Sequence, residues 1–304
     1  MQTSHLQAFI TVAECASFSR AAEQLFLSQS AISKRVASLE QALECRLFDR
    51  IGHKVSLTES GRTLLPRAHQ IIIQVEESRR EIQNLSGEIV GELSLGTSHH
   101  IGLNRMPTLL KQYHCNYPNV EMNLQFMESE AVYEAVSQGK LEMGVVTLPQ
   151  QPQEHLQQYE IWQDPLHFVV SKEHPLASQQ AVTEQQLKQH TAILPTKETN
   201  TFQLLAHQLQ QQQVALQKTM NTNNLDTIKM LVSIGLGWSL LPQTLVDGEL
   251  HRFQVANVSV SRKLGIVIHR QRTLSNAAKA MITLLQQQVN AHESPTKQSQ
   301  TPPC

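Results

Sequence analysis

The sequence predicts an α+β N-terminal winged helix-turn-helix unit with a long linker helix, followed by an α/β domain of two lobes. Three observations point there. Residues 17–43 (SFSRAAEQLFLSQSAISKRVASLEQAL) hold two helical patterns around a short turn. Residues 64–85 repeat apolar side chains with a period of 3.5. From Gly91 the pattern changes to alternating strands and helices. The expected divisions are 1–58 for the helix-turn-helix unit, 59–87 for the linker helix and 88–292 for the two-lobed domain. Within that domain, lobe 1 takes about 88–163 and 266–292, and lobe 2 about 164–265. The polar, proline-containing tail 293–304 is expected to be disordered.

In the second helix of the opening motif, Ile32, Val36, Leu39 and Leu43 fall four, three and four apart and share one face. Ser30, Lys34, Ala37, Ser38 and Gln41 point the other way. That outward face is small, polar and basic, which suits a DNA groove better than a protein core. Leu6, Phe9, Ile10 and Ala13 mark an amphipathic first helix that packs behind the motif. Ser19 is the expected cap of the next helix, Ala21 and Ala22 permit a close helix crossing, and Phe26 and Leu27 are expected to fill the turn. Ser28 caps the second helix, so Gln29, Ser30, Ser33 and Lys34 lie on the turns that enter the groove. Arg35, about 100° round from Lys34, is expected at phosphate. The segment CRLFDRIGHKVSLT reads as a hairpin turning at Gly52, with Arg50, His53 and Lys54 at a wing that meets phosphate or the minor groove. The plainer reading of these residues is a solvated helix face, and the basic wing beside it favours DNA.

Thr58 caps a helix expected to run to residue 84 and stop before Gly87. Leu64, Ala68, Ile71, Val75, Ser78, Ile82 and Leu85 form its seam, which suits pairing with a second copy. At about 1.5 Å per residue the helix is roughly 40 Å long, too exposed to stand alone. Pro66 removes one of its internal hydrogen bonds.

Beyond it, ELSLGT, VEMNLQF and LEMGVVT read as strands alternating with helices RMPTLLKQYHC and AVYEAVSQG, the order of an open parallel sheet. A second lobe reads as strands LHFVVS, HTAILP, VALQKTM and GWSLLP, with helices over 183–189, 201–211 and 224–234. KLGIVIHR is a final strand and LSNAAKAMITLLQQQV a closing helix. Crossings between lobes are expected near 146–149 and 265–269, leaving a cleft. Ligands of open α/β sheets bind at the carboxyl ends of strands. Thr97, Ser98, His99 and His100 after the first strand make a candidate anion cradle, completed by Thr147, Thr196, Thr199, Thr201 and Asn223. Each threonine alone reads equally well as a helix cap; their convergence on one cleft carries the group. A carboxylate or inorganic anion is the expected ligand, with an apolar ligand as the alternative.

Composition excludes several classes. The 304 residues, 40% hydrophobic, can build more than one core. Charge is nearly balanced, 25 basic against 26 acidic, but residues 20–67 carry eight basic against five acidic groups. Neither a signal-peptide pattern nor a long apolar run is present, which predicts a cytoplasmic protein with no membrane partner. Cys15, Cys45, Cys115 and Cys304 form no C-x-x-C pair, predicting reduced thiols and neither a disulfide framework nor a zinc site. Cys15 and Cys45 sit in amphipathic elements and read as buried thiols before redox switches. Side chains of the His99-His100 doublet diverge, with no cysteine or acidic partner nearby, so no metal is expected. The run at 208–213 reads as a solvated, glutamine-rich helix end. No G-x-S-x-G, Walker loop or G-x-G-x-x-G after a strand is present, so no enzyme is expected.

The run FITVAECASFSRAAEQLFLSQSAISKRVASLEQALECRLFDR, the following LTESGRTLL, and the later HPLA and GLGWSLLP segments resemble LysR-type transcriptional regulators. The resemblance covers essentially residues 4–290. Ala16 and Glu44 stand where it leads one to expect glycine, and Ser30 where proline is usual. It implies a periplasmic-binding-protein-like effector domain and a homodimer through the linker helix, or a tetramer. Such a protein binds a pseudo-palindromic promoter site and changes DNA bending when a small effector occupies the cleft. RNA polymerase is a further implied partner, and no cofactor is implied. The alternatives are a metal- or redox-responsive regulator of the same fold, and a solute-binding protein serving transport. The N-terminal module and the lack of an export pattern argue against the last.

Overall fold

The computed structural model describes residues 2–51, 54–179, 181–211, 218–256 and 258–293, and the chain divides into two units, Met1–Ser86 and Gly87–Cys304. The first unit comprises α1 (Thr3–Cys15), α2 (Phe18–Gln24), α3 (Gln29–Ala42), an antiparallel hairpin of β1 (Phe48–Ile51) and β2 (Lys54–Leu57), and α4 (Glu59–Asn84). A hydroxyl side chain starts three of these helices. Ser17 accepts from the Arg20 amide, Ser28 from Ala31 and Thr58 from Gly61. The cap of α2 is thus Ser17, two residues ahead of the expected Ser19, which lies inside the helix.

Ile32, Val36 and Leu39 are fully buried and pack with Leu6, Phe9 and Val12. The Phe48 ring lies 5.4 Å from Phe9 and 5.7 Å from Phe18, seating the hairpin on the helices. Glu40 joins the two parts by another route. Its carboxylate accepts from the amides of Leu47 at 2.7 Å and Phe48 at 3.3 Å, tying the end of α3 to the start of the wing. Leu27 packs against this core as expected, but Phe26 does not fill the turn: it is 94% exposed. On α4, Ala68 is buried and Leu64 and Ile71 lean on the core, while Ile82 and Leu85 are exposed.

The second unit is built from β3 (Gly91–Thr97), α5 (His99–Asn104), α6 (Pro107–Asn116), β4 (Val120–Phe126), α7 (Ser129–Ser137), β5 (Met143–Thr147) and β6 (Leu156–Ser171). There follow β7 (Ala181–Val182), α8 (Glu184–Gln189), β8 (Ala192–Leu194), α9 (Asn200–Gln211), β9 (Thr219–Asn221) and α10 (Leu225–Ser233). β10 (Ser239–Pro242), β11 (Leu250–Val255), β12 (Val260–His269) and α11 (Asn276–Glu293) complete it. The main sheet runs β4-β3-β5-β12-β6-β11-β7, with β10 also paired to β6. β3 is parallel to both β4 and β5, as the alternation predicts, whereas β12 and β6 are antiparallel.

The lobes are joined differently from the expectation at 146–149 and 265–269. β6 and β12 are long enough to serve both lobes, pairing from Val260↔Leu166 to His269↔Leu156, and the chain changes lobe inside them near Asp164 and Arg262. A register shift falls between Leu264 and Gly265. Gly265 is required there, because a Cβ would strike the Tyr159 backbone oxygen. β8 and β9 form a separate parallel pair, and only 218–220 of the strand expected at 214–220 are described; β9 covers Thr219–Asn221. The last two residues of the glutamine-rich run and the tail from 294 lie outside the described residues.

Separate cores fill the two lobes, one around Leu95, Met106, Tyr113 and Ile266, the other around Phe168, Leu194, Trp238 and Leu240. The buried Trp238 indole donates to the Leu187 carbonyl at 3.2 Å. Among the described residues no helix is long and apolar enough to cross a membrane. Cys15 and Cys45 are free and half-buried.

Ala16 and Glu44 both adopt left-handed backbone, with φ of 49° and 53°. These are the two positions where glycine was expected, and a Cβ there costs about 1 kcal/mol. Ala16→Gly and Glu44→Gly should each raise the stability of the full chain by roughly 0.5–1 kcal/mol, read as a higher urea midpoint with unchanged slope.

Candidate functional site

Two regions hold the residues from which this chemistry is expected. On α3, packing Ile32, Val36 and Leu39 inward leaves Gln29, Ser30 and Lys34 exposed, with Ser33 and Arg35 half-exposed on the flanks. The Ser30 hydroxyl lies 3.0 Å from that of Ser28, so the first turn is organised by the cap. Residues on this face can donate and accept, matching both phosphate oxygens and base edges. In the hairpin, Arg50 pairs with Val55 and Lys54 with Ile51 by backbone register. The side chains of Arg50 and Lys54, and the whole of His53, lie outside the described residues.

The second region is a cavity of about 70 Å³ between strand ends and helix starts. Ser98, His99, His100, Thr147, Thr199, Thr201 and Asn223, seven of the nine expected residues, line it. Thr97 and Thr196 do not. The Thr97 hydroxyl is spent on the Val145 carbonyl at 2.8 Å, pinning β3 to β5. The Thr196 amide donates to Asn223 Oδ1 at 2.9 Å, so Thr196 holds a lining residue without being one. Caps use part of the remaining polarity: Ser98 accepts from Ile101, and Thr199 from Phe202.

Arg262 dominates the electrostatics. It is 5% exposed, and its Nε and Nη2 donate to Asp164 Oδ2 at 2.9 and 2.6 Å, while Nη1 donates to Thr201 at 3.2 Å. Arg105, following α5, reaches the other oxygen of Asp164 at 3.4 Å. Glu128, Glu130 and Asp226 also line the cavity. Glu130 accepts from the Asn200 amide at 2.7 Å, at the start of α9, and Asn200 Nδ2 donates to the Thr147 carbonyl at 3.4 Å. Ser129 accepts from the Thr147 amide. The two lobes therefore touch across the cleft through Glu130, Asn200 and Thr147. Burial and the neighbouring Glu130 raise the Glu128 carboxyl above its ordinary range, with His99 acting in the opposite direction.

His99 stacks on Phe126 at 5.8 Å, whereas His100 faces Asn104 at 3.2 Å and Thr244 at 3.5 Å. The doublet thus divides between two surroundings and does not make a ligand pair. Among the described residues no group of three His, Cys, Asp or Glu is placed to hold a metal ion. Burial, then the positive Arg262, lower the His100 pKa to about 4, so it lines the cleft as a neutral imidazole.

The sequence reading missed Glu128, Ser129, Glu130, Asn224, Leu225, Asp226 and Arg262. Ser129 and Asn224 stand at helix starts, a readable signal. Arg262 and Asp164 meet across strands and leave no local pattern.

Both units of the chain match known families. Residues 3–62 match the model for "Bacterial regulatory helix-turn-helix protein, lysR family", and residues 86–290 match "LysR substrate binding domain". The chain is 57% identical over 107 residues, 35% of its length and 74% of the relative's, to an HTH-type transcriptional regulator in the ibpB-leuC intergenic region of Azotobacter vinelandii. It is 29% identical over 291 residues, covering 92% of this chain and 84% of the relative, to a "probable RuBisCO transcriptional regulator" of Synechocystis sp.. A full-length OxyR variant from Pseudomonas aeruginosa superposes with a TM-score of 0.68 at 21% identity over 95% of each chain. Full-length CbnR complexed with its target DNA gives a TM-score of 0.63 at 17% identity, over 95% of this chain and 100% of the other. At such identities the structural likenesses speak to the fold.

Because the folded pKa of His100 lies below its ordinary 6.5, the unfolded chain takes up that proton first. The stability contributed by the neutral ring is complete above about pH 6.5 and is lost as pH falls toward about 4. Urea unfolding of His100→Gln should therefore show a shallower loss of stability than the parent between those values. Equal slopes would contradict the buried neutral state.

Proposed function

The chain belongs to the LysR family of DNA-binding transcriptional regulators, and from that premise we propose that a small polar effector carrying an anionic group binds the 70 Å³ cleft and sets how the protein engages its promoter. The observation that supports this reading is the convergence of Ser98, Thr147, Thr201 and Asn223 with the helix starts at Ser129 and Leu225 on one cavity. A space of that volume takes only a handful of heavy atoms. Amides at helix starts and the Thr201 hydroxyl would meet the effector's oxygens, while Glu128 and Asp226 accept any hydroxyl or ammonium it also carries. Thr97 and Thr196 act one step back, holding the strands and Asn223 in place. Cleft closure around the effector shifts the balance between two arrangements of the second unit, and only a ligand that prefers one of them moves that balance.

At the DNA, Gln29, Ser30, Ser33 and Lys34 would read the major groove, with Arg35, Arg50, His53 and Lys54 at phosphate or in the minor groove. Two such units are held together through α4, where Ile71 and Val75 line an apolar groove with Arg67, Gln70, Gln74 and Ser78. A tetramer and a contact with RNA polymerase are further elements of the proposal.

Leu225 lines the cavity, and Leu225→Trp should fill it. In a thermal-shift screen of small carboxylates and phosphates, a ligand at 100 times its Kd should stabilise the parent by about 2.7 kcal/mol and the variant by nothing measurable. DNA binding without ligand should persist in both. A ligand that stabilises both equally would place the effector elsewhere. In a separate test, Ile71→Glu should sediment as a monomer; an intact dimer would exclude α4 as the interface.

A further inference from the structure

We propose that Phe26 is a DNA-contacting residue, its ring lying against deoxyribose and base-methyl surface where α3 meets the duplex. Phe26 is 94% exposed and its backbone is left-handed, with φ of 52°. Its amide donates to the Glu23 carbonyl and the next amide, of Leu27, donates to Ala22, so the turn itself imposes that conformation. Glycine or asparagine would occupy it at lower cost. A phenylalanine here is unfavourable for the turn and adds nothing to the core, since Leu27 is the turn residue that packs inward. What remains is what the ring does outside the fold.

Its surroundings favour nucleic acid over a protein partner. Phe26 is followed closely by Ser28, Gln29 and Ser30, all exposed and polar, on the approach to the face that bears Lys34. Among the described residues, the other exposed large hydrophobics of this unit are Leu43, Ile82 and Leu85. Leu43 follows the far end of α3, about 20 Å along a helix of this length, and the other two lie at the end of α4. Among the described residues, therefore, no apolar patch surrounds Phe26 of the kind a protein interface requires. A lone aromatic among hydroxyls and amides matches a duplex, where sugar faces and thymine methyls alternate with phosphates.

The test measures full-length protein by fluorescence anisotropy on a duplex of roughly 30 base pairs, enriched from a random pool by the parent chain, across a range of salt. Phe26→Asn should raise the melting temperature by relieving the strain, weaken binding about ten-fold, and leave the salt dependence unchanged, because an apolar contact releases no counterions. Phe26→Tyr should keep parental affinity. Three results would overturn the proposal. Unchanged affinity of Phe26→Asn, with or without loss of transcriptional activity, would turn the ring toward another partner. A lowered melting temperature would make Phe26 a structural residue. A flattened salt dependence would mean that the whole helix had been displaced.

Discussion

Asp164 and Arg262 sit opposite one another on β6 and β12, the two strands that pass between the lobes. Both side chains are buried, and two hydrogen bonds end on a single oxygen of the aspartate. A charge buried without its partner is destabilising by about 3–5 kcal/mol, so each of the pair exists only on condition of the other. Arg105 completes the aspartate from the lobe that contains α5, and Thr201 completes the arginine from α9. The pair thus fixes the start of one helix, the end of another and the register of the crossing strands at one point. The position of the cleft walls follows from it.

That arrangement also decides what the cleft can offer a ligand. Arg262 is the guanidinium on the wall, yet most of its donors are already engaged with Asp164 and Thr201. The carboxylates of Glu128, Glu130 and Asp226 add negative charge, and Glu130 already occupies the amide of Asn200. An anionic effector of the kind proposed would enter a site whose polar groups are largely satisfied by one another. It would have to exchange with an internal partner and could not simply fill a positive hole. His100, held neutral by burial and by Arg262, lines this space without adding charge.

Much of this was legible locally. The inward face of Ile32, Val36 and Leu39, the caps at Ser28 and Thr58, and the change of pattern at Gly91 each depend on residues a few positions apart. So do Ser98, Thr147, Thr199, Thr201 and Asn223 in the cleft, because strand ends and helix starts advertise themselves through Ser, Thr and Asn. The ion pair at the lobe crossing is different: 98 residues separate its members, and neither has a neighbour that announces the other. The lobe crossings were misplaced for the same reason, since β6 begins with polar Gln157, Gln158 and Glu160, which conceal a strand whose partner lies on β12. Ser19 was read as the cap, but α2 starts at Phe18 and Ser17 takes the role. Phe26 was read by its hydrophobicity alone, although its left-handed turn carries it to solvent.

Strands β6 and β12 run unbroken through both lobes, and this makes the second unit indivisible as a piece of inheritance. A chimera that exchanged one lobe with a relative's would cut both ribbons, separate Asp164 from the arginine it faces and lose the glycine that lets Tyr159 approach. The boundary at Ser86 and Gly87 interrupts nothing comparable. Recombination can therefore give an old reader of DNA a new sensor, but the sensor must travel whole.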